Sequence, residues 1–182
     1  MQYKVLSKED ISETFIAMDE LQDHLRLYDP HEEALIAVYR LAAIDFAERY
    51  MNRAIGLQEV SGFIGDYRSR VQLPYGDVDS VTAISCVDNE DLISIPETDY
   101  RLNPVTNEVM INSKYSKCSE FVINFKAGYQ AENVPAAIKV GCMKLISTWY
   151  ENREDVSNGT IAVTVPFNHR ACFDLYRIPA GA

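Results

Sequence analysis

Four cysteines, three histidines and 27 acidic residues are the side chains through which this chain of 182 residues could do chemistry. Cys86, Cys118, Cys142 and Cys172 stand far apart, with no CxxC pair and no zinc-knuckle spacing, so they read as reduced, half-buried thiols of a cytoplasmic protein. His24, His31 and His169 are as dispersed, and none belongs to HExxH or another i, i+4 metal pair. No serine sits in GxSxG and no cysteine has a suggestively placed histidine. Gly56, Gly62 and Gly65 lack phosphate-loop spacing, and no Lys-Ser/Thr follows them. Among so many acids a facing pair of carboxylates arises by chance, which gives glycosidase chemistry no support. Glu151, Arg153 and Glu154 cluster where a helix ends. They can be read as an acid/base group, or more blandly as a solvated helix end carrying one salt bridge. Trp149 and Tyr150 read as core or interface anchors before they read as a ligand-stacking platform. The sequence therefore predicts no catalytic residue, no metal ligand and no cofactor.

The elements that would position these residues fall into three blocks. Met18, Leu21 and Leu25 recur at helical spacing around residues 18–27. Asp29-Pro30-His31-Glu32 then offers a cap, a first-turn proline and a capping-box acid for a helix over about 30–52. That helix carries Leu35, Ile36, Val38, Tyr39, Leu41, Ala42, Ala43, Ile44, Phe46, Ala47 and Tyr50. Its apolar surface is wider than one core-facing stripe, so it should be buried on more than one side, within the domain or against a neighbouring subunit. From about 56 to 126 the period changes. Residues 71–73, 81–87, 109–111 and 121–125 read as short strands separated by turn clusters, a pattern that suits antiparallel hairpins.

Asn133-Val134-Pro135 opens the last long helix, whose Ile138, Cys142, Leu145, Ile146 and Trp149 keep an amphipathic spacing. Gly141 inside it costs about 1 kcal/mol against alanine, which predicts that another backbone passes close by. After a polar spacer at Ser157-Asn158-Gly159, residues 166–177 can form one further short helix through Phe173 and Leu175. The fold class expected is α+β: a helical bundle built from the N- and C-terminal helices with a central antiparallel β-rich insertion. It forms one domain, with helices over 18–55, the insertion over 56–128, the long helix over 133–154 and a C-terminal segment over 166–177.

Composition narrows the function classes. Hydrophobic residues make up 47% and charged residues 24%, which suits a folded globular chain and not a disordered tail. No apolar run approaches the roughly 18–20 residues that cross a bilayer, and the start turns acidic where a signal peptide needs an apolar core. A soluble chain that stays where it is made is the expectation, with no membrane partner. The net charge of −10, with Lys and Arg scattered, argues against a dedicated nucleic-acid module.

The C-terminal third carries the most specific pattern. Val134-Pro135-Ala136-Ala137-Ile138-Lys139 leads to Trp149-Tyr150-Glu151-Asn152-Arg153-Glu154, and then to Val165-Pro166-Phe167 and Leu175-Tyr176-Arg177. These segments resemble the tailed-phage head-tail connector family, also called adaptor or head-completion proteins and often labelled "possible DNA packaging". Leu21-Gln22-Asp23-His24-Leu25-Arg26-Leu27 is similar to the family's opening, and Phe125-Lys126-Ala127-Gly128-Tyr129 to the end of its strand-rich middle. The resemblance runs from about residue 18 to 177, leaving 1–17 as an unmatched extension. Asn168 stands where the family has glycine, and Phe173-Asp174-Leu175-Tyr176-Arg177 is a loose form of its terminal motif.

What the resemblance implies is a structural virion protein and not an enzyme. Such chains form a homo-oligomeric ring, typically of about twelve subunits, beneath the portal protein at the head-tail junction. They are made in the host cytoplasm. The ring extends the DNA channel, docks a tail or stopper (completion) protein, and lets DNA pass without specific binding. Candidates for its contacts are Tyr39, Phe46, Tyr50, Trp149, Tyr150 and Arg153 on the broad apolar face of helix 30–52 and the aromatic end of the last long helix. Phe167, Phe173, Tyr176 and Arg177, hot-spot residue types after a flexible spacer, lie in a docking segment expected to bury its surface on another chain. A monomeric tail-associated or regulatory binding protein, and a small enzyme with a dispersed site, are the rival classes.

Overall fold

A computed structural model describes residues 1–27, 30–152 and 168–179. The chain is mixed α and β with antiparallel sheets, and it divides into two units: Met1–Glu9 with Gly56–Tyr129, and Asp10–Ile55 with Gln130–Ala182.

The first unit is built of strands β1 (Gln2–Lys8), β2 (Gln58–Asp66), β3 (Arg70–Gln72), β4 (Val78–Asp88), β5 (Asp91–Ile95), β6 (Tyr100–Asn103), β7 (Glu108–Ile111) and β8 (Ser119–Ala127). They form a five-stranded sheet in the order β1-β2-β8-β4-β5 and a three-stranded sheet in the order β3-β7-β6, with every pairing antiparallel. One buried cluster joins the two sheets: Val60, Ile84, Phe121, Ile123 and Phe125 come from the larger, Val71, Val109 and Ile111 from the smaller. Period-2 alternation produces this, since successive side chains point to opposite faces. In β8 Phe121, Ile123, Phe125 and Ala127 are buried, and the residues between them are not.

Four strands carry no sequence expectation. β1 lies in the stretch read only as an extension, and joins the sheet through its register with β2. In β2 the inward positions are Gln58, Val60, Gly62 and Ile64, while Phe63 faces outward. The burial alternates, but the residue types do not. Gly62 is occupied from above by the Met1 side chain, so a Cβ there would overlap the Met1 methyl.

β4 and β5 are joined by the two-residue turn Asn89-Glu90, both at positive φ (46° and 73°). A hairpin turn with two left-handed residues matches the twist of the strands, and glycine suits its second position. Glu90 occupies that position at a steric cost, so Glu90→Gly should stabilise the protein by about 1 kcal/mol. A urea midpoint that stays level or falls would contradict the turn geometry.

The second unit holds the α-helices: α1 (Ser12–Phe15), α2 (Met18–Leu25), α3 (Glu33–Met51), α4 (Ala136–Glu151) and α5 (His169–Asp174). The expected helix at 30–52 thus begins with a 3-10 turn over Pro30–Glu32 and ends at Asn52, whose left-handed φ of 56° closes it. Asp29, its expected cap, lies outside the described residues. Ile36, Arg40, Ala43, Ile44, Ala47 and Met51 form the buried stripe of α3. Arg40 is the polar member. Its guanidinium donates to the Ile16 carbonyl at 3.2 Å and to the Glu13 carboxylate at 3.0 Å, fastening α1 to α3. Glu20 does the same for α2: it accepts from the Ala17 amide at 3.2 Å and from Lys139 at 2.5 Å. The Lys139 ammonium holds the Glu20 carboxyl below its ordinary pKa.

Pro135 is the N-cap of α4, whose Ile138, Gly141, Cys142, Leu145 and Ile146 are buried. Gly141 is tight for a reason other than the one expected. A Cβ there would stand 2.5 Å from Cε1 of Phe173, so an aromatic ring fills the space, not a backbone. Leu175, expected on the same short helix as Phe173, lies one residue past α5 and is 74% exposed.

Candidate assembly surface

The aromatic and arginine residues read from the sequence as interface anchors come together on the helices. Trp149, near the end of α4, has its ring 6.1 Å from Tyr39 and 6.5 Å from Phe46, both on α3. Phe46 also stacks on Tyr50 one turn later at 6.0 Å and lies 6.4 Å from Phe173. Tyr150 donates its hydroxyl to the Glu32 carboxylate, joining the end of α4 to the start of α3. Arg153 and Phe167 lie outside the described residues.

The C-terminal segment is fastened to the same surface. Tyr50 donates to the Asp174 carboxylate at 2.7 Å, Arg53 Nε to the Tyr176 carbonyl at 2.5 Å, and the Ile178 amide to the Met51 carbonyl at 2.8 Å. The Arg177 guanidinium sits 5.1 Å over the Tyr50 ring, a cation–π geometry. The bond to Asp174 raises the Tyr50 pKa, which keeps the phenol a donor. His169 packs 5.7 Å from Phe46 and 6.1 Å from Phe173, and burial, then Arg170, pushes its pKa down.

This corrects the expectation that residues 166–177 must bury their surface on another chain. Phe173 is fully buried in its own unit. The segment folds back because the end of α3 and Arg53 just after it supply two donors, one acceptor and a ring to it. Trp149 is only half-buried, so it seals the α3–α4 seam and is not its core. These aromatics are spent largely on each other.

What remains exposed is aliphatic. Val38 is 60% and Leu41 50% exposed on α3, flanked by exposed Ala34 and Ala42, and Val140 is exposed on α4. The four α3 residues follow i, i+4, i+7, i+8 spacing and so make one stripe apart from the buried one. The sequence signal for it was the excess width of the α3 apolar surface.

Nothing described resembles a reaction centre. Among the described residues no group of three His, Cys, Asp or Glu could hold a metal, and no helix is long and apolar enough to cross a membrane. A shallow groove of about 330 Å³ is lined by Ser7, Lys8, Glu9, Leu57, Gln58, Glu59 and Lys126. Its Lys126 ammonium is 3.6 Å from the Glu59 carboxylate, so their charges offset one another. Cys86, Cys118 and Cys142 are buried and Cys172 half-buried. Burial above all pushes the Cys86 and Cys142 thiols up to about 12, far from the reactive thiolate. A disulfide reagent at pH 8 should therefore titrate Cys172 alone until the chain unfolds. Fast reaction of a second thiol would mean that a core opens.

No protein-family model matches this chain, and no curated protein matches it. Solved structures do. Similar chains occur in the neck of an empty gene transfer agent (GTA) particle computed with C6 symmetry (22% identity, TM-score 0.73) and in the virion of a native GTA particle (23%, 0.75). Another lies in the neck of a native GTA particle computed with C12 symmetry (21%, 0.72). Each alignment covers 100% of this chain and 99% of the other. From end to end, the chain has the fold of those particle chains.

Proposed function

We propose that this chain is a structural subunit of a virion neck, joining a DNA-filled head to its tail. The observation that carries the reading is the full-length likeness to chains of GTA necks and virions, two of them in reconstructions with C6 and C12 symmetry. The chain is made in the host cytoplasm and assembles as a dodecameric ring below the portal protein. There it extends the DNA channel and receives the tail or a stopper protein. In this reading the α-helices are the bundle of a connector domain and the strand-rich unit is its insertion. The chain is not an enzyme and uses no cofactor. With a net charge of −10, its ring lets DNA slide without adhering.

A ring is a heterologous assembly, in which one face of each copy meets a different face of the next. The Ala34-Val38-Leu41-Ala42 stripe is the helical part of that contact, being apolar, continuous and uncovered by its own described residues. Among the described residues of the C-terminal segment, Leu175 is the large apolar side chain left exposed to reach the portal. Electron microscopy of the purified full chain, alone and mixed with portal-bearing heads, tests the reading. Rings, or density added at the portal vertex, are expected. A monodisperse monomer that leaves the vertex bare would overturn it.

A further inference from the structure

We propose that the two edges of the five-stranded sheet are mating surfaces, through which β5 of one copy of this chain pairs with β1 of the next. The inference rests on the ring reading above and adds to it a second, β-mediated contact. Among the described residues no strand covers the outer side of β1 or of β5. Such an edge presents main-chain N–H and C=O groups to a further strand, and in β1 the row is regular over Gln2–Val5, ahead of the bulge at Leu6.

β1 is an unusual edge. Only Val5 of its seven residues is even half-buried, while Leu6 is 56% exposed and Tyr3 is exposed too. The Tyr3 ring meets Tyr75 of its own unit edge-on at 5.3 Å, which leaves Leu6 as the large apolar side chain of β1 available to another chain. β5 offers Leu92, 73% exposed, to match.

The two edges differ in charge and agree in direction and facing. β1 carries Lys4 and Lys8, and the β4–β5 hairpin carries Asp88, Glu90 and Asp91. Lysines on an edge can serve merely to repel other strands. Guard charges need no counterpart, but here the opposite edge of the same sheet bears the opposite sign. Four successive antiparallel pairings separate β1 from β5, so the two strands run the same way. A neighbour related by rotation would therefore pair head to tail and in parallel. Val5 and Ile93 both pack against the unit's buried cluster, so a joined sheet could keep its apolar face continuous from copy to copy. Strand addition at a sheet edge draws affinity from the main chain and selectivity from side chains.

Two charge-reversed full-length proteins test this: Lys4→Glu/Lys8→Glu, and Glu90→Lys/Asp91→Lys. Each alone places like charges across every copy-to-copy edge. An equimolar mixture restores opposite charges, because β1 of either protein then meets a complementary β5 of the other. By mass photometry, each variant alone should lose ring species by about tenfold or more relative to wild type, and the mixture should recover them. Recovery by mixing is something that misfolding could not give, and circular dichroism of each variant checks the fold. If either variant alone assembles as wild type does, the lysines only guard the edge and the proposal falls while the ring reading stands. Failure of the mixture to recover rings from two folded variants overturns it as well. If the wild-type chain forms no ring, alone or on portal-bearing heads, the ring reading fails and this inference fails with it.

Discussion

Phe173→Ala is expected to destabilise the helical unit by about 3–5 kcal/mol, the range for removing a fully buried aromatic side chain. Three observations set the size. Phe173 is completely buried, it contacts the rings of Phe46, Tyr50 and His169, and it fills the space left by the missing side chain of Gly141. Gly141→Ala is the complementary test. In a free helix that change gains about 1 kcal/mol. Here the new methyl would stand 2.5 Å from Cε1 and about 3.0 Å from two further ring atoms. A well-packed site charges about 1–3 kcal/mol for such overpacking, so the net effect should be a loss. The two positions share one volume, so their effects should not add. In Gly141→Ala/Phe173→Ala the methyl enters space the ring has vacated, and the double variant should be less damaged than the sum. Urea or thermal melts of the four proteins measure this. Full additivity, or a Phe173→Ala protein that melts like wild type, would mean that α5 does not dock on α4. A deletion of residues 166–182 is accordingly expected to unfold the helices before it can report on docking to a head.

Gly141 also marks how far the sequence can be read. A glycine among Ile138, Cys142, Leu145 and Ile146 announces a close approach. Helical spacing carries no information on what approaches, because Phe173 lies beyond a long polar spacer. The long helices were legible for the ordinary reason: their buried residues repeat at i, i+4 and i+7. β4 and β8 were legible because large β-branched and aromatic residues line them. β2 was not, since its inward positions include a glutamine and a glycine. β1 was hidden more deeply, for a strand with one half-buried residue, Val5, shows no alternation to betray it. The aromatic residues of α3 and α4 were visible as a set, but residue type alone does not separate an aromatic that meets a partner from one that meets its neighbour. Geometry separates them. It assigns Tyr39, Phe46, Tyr50, Trp149 and Phe173 to one another, and leaves Val38 and Leu41 outside.

That division sets the second large effect. Leu41→Lys is expected to leave the folding of the isolated chain unchanged within about 0.5 kcal/mol, as exposed substitutions do, and to abolish the ring proposed above. Leu41 is 50% exposed and Val38 60%, so a lysine ammonium at position 41 can remain in water while the chain is a monomer. In a ring it could not. Seated in an apolar contact without a partner, the charge would be desolvated, a cost of several kcal/mol at every copy-to-copy contact. Because the same contact repeats around a closed ring, the cost repeats with it. Leu41→Met keeps the apolar area and should assemble like wild type, which separates loss of charge compatibility from loss of shape. Circular dichroism melts give the monomer stability and electron microscopy the ring. Rings of Leu41→Lys equal in number to wild type would place the α3 stripe in solvent, and leave the sheet edges as the contact to be explained.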